Sequence, residues 1–159
     1  MKLHFKHSFV AVVFACSLMG CSFFSPTTYN TADYQAIHEA ASNGDTNAMN
    51  RLLLAHPTLV NVPDYDKNTP LHLAAIRNYP EAIDLLLNKG ANVNAQNAVK
   101  MTALHLAAKS GYLESVKALL KAEPKLDLRD DRDFTALIWA EKTHHDEVAQ
   151  LLRQAGSKE

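Results

Sequence analysis

The residues Thr69 to Ala75, TPLHLAA, return thirty-three positions later as TALHLAA, Thr102 to Ala108, and again as TALIWAE, Thr135 to Glu141. A pattern that recurs at a fixed interval of this size marks small units that cannot bury their apolar faces alone and must stack on one another. A weaker copy, Gln35-Ala36-Ile37-His38-Glu39-Ala40-Ala41, stands one residue further out, and the extra residue is expected in the loop around Pro57 to Leu59. The chain therefore reads as four copies, the first degenerate.

Each copy has the physical marks of a helix start. A threonine hydroxyl can accept a hydrogen bond from a first-turn N–H that otherwise lacks a partner. Pro70 follows Thr69 where a missing N–H costs nothing. Leu71 and Leu104 are expected to face inward, and the paired alanines Ala74, Ala75, Ala107 and Ala108 permit close approach of a neighbouring helix. A second apolar run follows in every copy: Met49-Leu52-Leu53, Ile83-Leu86-Leu87, Val116-Leu119-Leu120 and Val148-Leu151-Leu152. Its three- and four-residue spacing is that of an amphipathic helix. One unit is helix, turn, helix, connector.

This pattern resembles the ankyrin repeat, whose 33-residue period and T-P-L-H-x-A signature it shares. The resemblance covers Tyr34 to Gly156. It implies an all-α solenoid of about four helix-turn-helix repeats with short hairpin-like connectors, at approximately 34–66, 67–99, 100–132 and 133–159. Gly90-Ala91-Asn92-Val93-Asn94 matches the end of a repeat, Gly44 and Gly111 match the turn between helices, and Asp64 and Asp130 begin connectors. The connector glycine of the family is replaced by Lys67, Lys100 and Asp133, so those turns are expected to be less tight. The fourth copy puts Ile138 and Glu141 where the family has histidine and alanine, as expected of a cap that stacks on one side only.

The chain begins differently. Lys2 and Lys6 precede an apolar run, Phe9 to Met19, broken only by Ser17 and closed by Leu18-Met19-Gly20-Cys21. The run is shorter than the roughly 20 residues that cross a bilayer, and its charged front and small residue at Gly20 fit a cleaved signal peptide over residues 1–20. The ending resembles the lipobox of bacterial lipoproteins, which implies that Cys21 is the lipid attachment site. The alternative is an ordinary signal peptide in which Cys21 plays no part; charge, length and motif together favour the lipobox. Cys16 leaves with the signal, so the mature domain has neither a free thiol nor a disulfide and suits an oxidising compartment. Ser22 after the anchor is not the aspartate associated with inner-membrane retention, so the resemblance implies an outer membrane, with the domain facing the periplasm. Several acyl chains would be needed for stable anchoring. Residues 21–33, rich in Ser, Thr, Pro and Asn, read as a lipidated tether reaching about 20 Å, leaving 34–159 for the repeats.

Composition excludes some classes of function. With 47% apolar residues the chain is ordinary for one helical domain. Loss of Lys2 and Lys6 moves the formal charge from -1 to -3, which is no nucleic-acid signature. His38, His72 and His105 recur at equivalent places, but helices pack about 8 to 10 Å apart and zinc needs nitrogens at about 2 Å. Hydrogen bonding to a connector or a threonine hydroxyl is the expected role of these rings. His144 and His145 fall in the turn before the last helix, where solvent exposure is expected. No catalytic couple, phosphate loop, metal site or cofactor motif is expected.

What remains is surface. In ankyrin stacks the connector tips and the exposed side of each first helix form one elongated concave face that binds proteins. Carried over copy by copy, that face comprises Tyr65, Asp66 and Asn68; Val99 and Met101; Asp131, Arg132 and Phe134; and on the helices Ile76, Arg77, Lys109 and Lys142. Aromatic residues and arginine dominate binding energy at interfaces. For Met101 and Phe134, contact with a partner and packing under the neighbouring connector are both open; Trp139 is expected to pack in the core. The expectation is a monomeric, non-catalytic protein-binding module. A specialised alternative is an immunity protein that covers the active site of a periplasm-acting toxic enzyme. An enzyme has no supporting residues.

Overall fold

The computed structural model describes residues 31–157. Cys21, the signal segment and most of the tether lie outside the described residues. Eight α-helices are present among them: α1 (Thr31–Asn43), α2 (Thr46–Ala55), α3 (Pro70–Ile76), α4 (Pro80–Asn88), α5 (Ala103–Lys109), α6 (Leu113–Leu120), α7 (Ala136–Lys142) and α8 (Asp146–Gln154). They form two layers. The inner helices stack α1 on α3, α3 on α5 and α5 on α7; the outer ones stack α2 on α4, α4 on α6 and α6 on α8.

The repeated motif explains the inner layer. Ala74, Ala75, Ala107, Ala108 and Ala140 are fully buried where inner helices meet. Their small side chains let the seven-residue helices approach closely, and Leu71, Leu104 and Leu137 fill the space between the layers. In the outer layer the buried positions are Met49 and Leu53, Ile83 and Leu86, Val116 and Leu119, Val148 and Leu152. Leu52, Leu87, Leu120 and Leu151 are only partly buried at the margin.

Three details depart from the sequence expectation. Helix α1 begins at Thr31, so three residues assigned to the tether, Thr31–Asp33, are helical. The first copy has Gln35 in place of the capping threonine and no proline, so nothing stops its inner helix from running a turn longer. Second, the extra residue before the second copy sits in a 3-10 helix, Pro57–Asn61, rather than in an open loop, and this helix buries Leu59 and Val60. Third, the connectors are tight despite lacking glycine. Lys67, Lys100 and Asp133 adopt φ of 59°, 57° and 64°. Each donates its N–H back three residues, to Asp64, Asn97 and Asp130. The first residue of each connector drives this geometry. Asp64 Oδ1 accepts from the N–H of Asp66 and Asn68, Asn97 Oδ1 from Val99 and Met101, and Asp130 Oδ1 from Arg132 and Phe134. Two charge-assisted or amide bonds per turn hold a left-handed residue that a glycine would otherwise supply.

Candidate protein-binding face

The histidines of the motif join one repeat to the next. The Thr69 N–H donates to His72 Nδ1 at 3.1 Å, and the Thr69 hydroxyl lies 2.9 Å from the same nitrogen. Because Nδ1 accepts, the proton of the neutral ring is on Nε2, which donates to the Met101 carbonyl at 3.0 Å in the next connector. His105 repeats the arrangement. Its Nδ1 accepts from the Thr102 N–H, and its Nε2 lies 3.1 Å from the carbonyls of both Leu128 and Phe134. Burial pushes both rings below the ordinary histidine pKa, against the opposing pull of those carbonyls and of Asp64 for His72 and Asp130 for His105. His38 faces two carbonyls, Tyr34 at 2.7 Å and Val62 at 3.0 Å, in place of a threonine. The expected threonine and connector bonds are present at His72 and His105, and each ring is occupied within its own repeat junction.

The connectors that these rings support are linked tip to tip. The Ala98 N–H donates to the Asp66 carbonyl at 2.8 Å, and the Asp131 N–H to the Val99 carbonyl at 3.2 Å. Asn97 Nδ2 donates to Asn68 Oδ1 at 3.0 Å. The tips therefore form one ridge whose spacing is fixed by backbone bonds. Along it Tyr65 is fully exposed, and Asp66, Val99, Asp131 and Arg132 are exposed. Ile76, Arg77, Lys109 and Lys142 are exposed at the ends of the inner helices. Ile76, Lys109 and Lys142 occupy the same place in successive repeats.

Three of the residues assigned to the face are wholly or partly engaged inside the protein. Asn68 is half-buried, donating to Asp64 Oδ2 at 3.2 Å while accepting from Asn97. Met101 is only 6% exposed, and its backbone carbonyl accepts from His72. Its side chain does not project from the ridge but lines a cavity. Phe134 is half-buried, its ring 5.4 Å from Trp139 in an edge-to-face arrangement.

That cavity is where the face is most developed. It has a volume of about 190 Å³ and is lined by Val99, Met101, Lys109, Asp130, Asp131, Arg132 and Trp139. Trp139 is largely buried, as expected for a core residue, yet it also forms a wall of this cavity. Its indole N–H donates to Asp130 Oδ2 at 2.7 Å. Lys109 Nζ sits 4.4 Å from the centre of the Trp139 ring and Arg132 Cζ 5.4 Å from it, while Lys142 Nζ is 4.8 Å from the Phe134 ring. Burial alone would raise the Asp130 carboxyl, but the N–H donors of Phe134, Trp139 and Arg132 together with His105 outweigh it and hold the group below the usual aspartate value. The sequence reading missed Asp130 and Trp139 as parts of the face. The available signal was Trp139 standing where earlier copies have Leu73 and Leu106, both only partly buried. That position lies at the edge of the groove, not at the centre of the core.

His144 and His145 separate. His144 is exposed with φ of 60°, whereas His145 is half-buried, its ring lying against Gly111 so closely that a Cβ there would stand 2.5 Å from Nδ1. Only His144 is as open as expected. Among the described residues no group of His, Cys, Asp and Glu is arranged to hold a metal ion, and no helix is long and apolar enough to cross a membrane.

A family model described as ankyrin repeats (3 copies) matches residues 12–97 and 90–158. Stretches of the chain are similar to parts of much larger proteins. Over 53 residues it is 45% identical to serine/threonine-protein kinase VIK of Arabidopsis thaliana, covering 33% of this chain and 12% of the kinase. Over 63 residues it is 41% identical to BCL-6 corepressor-like protein 1 of Homo sapiens, covering 40% of this chain and 4% of that protein. A 33-residue match to protein fem-1 homolog C of Homo sapiens is 52% identical and covers 21% of this chain and 5% of the other. The chain thus spans at most 12% of the length of these relatives. Matches of this length carry the repeat architecture and none of the relatives' own activities.

Proposed function

The chain belongs to the ankyrin-repeat family, and from that premise we propose that it is a non-catalytic protein-binding module, held by lipid at Cys21 to the periplasmic face of a bacterial outer membrane. Ankyrin repeats support the binding role, and the ridge of linked connector tips carries its assignment to one face. The backbone of that ridge is locked by the bonds from Ala98 to Asp66 and from Asp131 to Val99, so a partner meets a preorganised surface and little ordering cost opposes association. Among the side chains on it are kinds that supply binding energy, Tyr65, Arg132 and Phe134 at the tips and Arg77 beside them, with Val99, Ile76, Lys109 and Lys142 around them. The anchor and compartment rest on the sequence alone: Lys2 and Lys6 before the apolar run, Leu18-Met19-Gly20-Cys21 at its end, and no cysteine after Cys21.

The test is affinity capture from solubilised envelope of the native cell with a Tyr65→Ala, Val99→Ala, Arg132→Ala triple variant as control. All three side chains are exposed, so the variant is expected to keep its melting temperature while retention of one specific protein falls at least tenfold. Equal retention by both forms would move the binding site off the ridge. For the anchor, Cys21→Ser is expected to release the chain from the membrane fraction. Continued membrane association of that variant would sink the lipid assignment.

A further inference from the structure

The ridge and groove are not chemically uniform, and the junction of the third and fourth repeats has an unusual charge arrangement. Lys109 and Arg132 lie over the Trp139 ring and Lys142 over the Phe134 ring. None of the three has a carboxylate within ion-pair distance among the described residues. An aromatic face attracts a cation and restricts its motion without neutralising it or using up its N–H donors. The two carboxylates in the lining are already satisfied. Asp130 accepts from the indole and from the N–H groups of Arg132 and Phe134, and Asp131 pairs with Lys100 Nζ at 3.1 Å. The lining thus holds two cations free of ion pairs among the described residues, Lys109 and Arg132, beside two occupied carboxylates, with Lys100 on Asp131 and Lys142 over Phe134 nearby.

We infer that this cavity seats an acidic side chain of the protein partner, an aspartate or glutamate whose carboxylate bridges Lys109 and Arg132 while its neighbouring apolar residue rests on Val99. The inference deepens the protein-binding reading and rests on it. At about 190 Å³ the cavity is smaller than the roughly 300 to 1,000 Å³ of typical small-molecule sites, which suits one or two side chains of a docking segment. Met101 and Trp139 provide an apolar floor and wall, and this lowers the local dielectric in which the bridge forms and strengthens it relative to an open surface pair. The guanidinium can take the carboxylate through two parallel N–H bonds, with Lys109 as a second donor. Because both cations are held before the partner arrives, little side-chain entropy is lost on contact.

The chain has a single tryptophan, Trp139, so its fluorescence reports occupancy of this cavity directly. Random peptides displayed on phage are selected on the full chain in detergent, and a selected peptide is then titrated while Trp139 emission is followed. The expected result is enrichment of Asp and Glu in the selected peptides, a Trp139 response on binding, and weakening of roughly ten- to a hundredfold on Lys109→Gln with Arg132→Gln. Affinity should also fall as salt is raised from about 0.1 M to about 1 M. Both variant positions are exposed and free of ion pairs among the described residues, and cation–π contacts at exposed positions add little stability, so the double variant should melt within a few degrees of the wild type. Peptides that bind without acidic enrichment, or that bind the double variant equally well, overturn the acidic seat and leave the protein-binding role standing. Binding of phosphatidylglycerol vesicles in place of peptides, lost in the same double variant, would assign the cations to a lipid headgroup and overturn it as well. If neither this selection nor envelope capture retains any protein, the binding role itself fails and the inference with it.

Discussion

His72 and His105 illustrate how one side chain serves both a helix start and a repeat junction. Each Nδ1 accepts from the threonine N–H at its own N-terminus, and each Nε2–H reaches a connector carbonyl in the following repeat. The first of these bonds requires the neutral ring, whereas the Nε2–H bond to the carbonyl would survive protonation. Protonation would put a proton on the nitrogen that accepts, and burial already disfavours the charge. The sign of the linkage follows. An unfolded histidine titrates near pH 6.5 and the folded rings titrate lower, so the unfolded chain binds more protons as the pH falls. The stabilisation is complete above about pH 6.5 and declines below it, by up to ~1.4 kcal/mol per pH unit for each ring that stays neutral. Asp130, also lowered, adds a second loss only under more acidic conditions, below about pH 4. Urea unfolding at a series of pH values should therefore show a plateau near neutrality and a fall toward pH 5. His105→Gln should flatten the fall, since glutamine at the third helical position can still cap the threonine N–H but does not titrate. A profile equally steep in that variant would place the pH dependence elsewhere.

At the scale of the element, the connectors show where reading the sequence stopped. The helices were legible because their apolar spacing and threonine starts recur at a fixed period, and a period survives a degenerate copy. The connector geometry was not. The absence of glycine suggested looser turns, whereas Lys67, Lys100 and Asp133 take left-handed backbone angles because Asp64, Asn97 and Asp130 close the turns through their side chains. A single propensity at one residue was outweighed by bonds from a residue three positions earlier. The site shared this limit. Exposed tip residues such as Tyr65 and Val99 could be placed by repeat position, but the burial of Met101 depends on the side chains that gather beside it, among them Lys109 and Trp139 in one cavity lining, which repeat position does not give. The wall provided by Trp139 depends on which side of a partly buried position a large ring turns. Left-handed angles at non-glycine residues cost roughly 1 kcal/mol, so Lys67→Gly, at an exposed position with no ion pair among the described residues, should raise the melting temperature by a few degrees. An unchanged or lower melting temperature would mean that the glycine's extra freedom in the unfolded chain cancels the relief. The helix turns respond oppositely. Gly111→Ala would combine a φ of 73° with displacement of the His145 ring. It should cost clearly more than Gly90→Ala, where a Cβ would meet nothing within 4 Å.

For the whole molecule, the question is whether four stacked repeats unfold as one. Each inner helix packs on the outer helix of its own repeat and on the inner helices of the adjacent repeats, so stability is close to a sum of repeat and junction contributions, and the ends have one junction each. Leu104, 2% exposed in α5, is flanked by repeats on both sides; Leu152, fully buried in α8, belongs to the last repeat. Leu104→Ala should cost ~2 to 5 kcal/mol, a large part of the ~5 to 15 kcal/mol that holds a typical domain, and it weakens the middle on which both ends depend. Leu152→Ala removes the same number of atoms, but its cost is limited by the free energy that docks the fourth repeat, since that repeat can open alone once the rest is more stable than it is. Trp139 makes the difference measurable, because it is the chain's single tryptophan and lies in the fourth repeat, whereas far-UV circular dichroism reports all the helices. In urea, Leu104→Ala should shift the fluorescence and dichroism midpoints together. In Leu152→Ala, fluorescence should change at a lower urea concentration than dichroism. Coincident midpoints in both variants would mean that the junctions are strong enough to make the four repeats a single cooperative unit. The binding face would then gain or lose its order as a whole, and not first at the junction where Lys109, Arg132 and Trp139 meet.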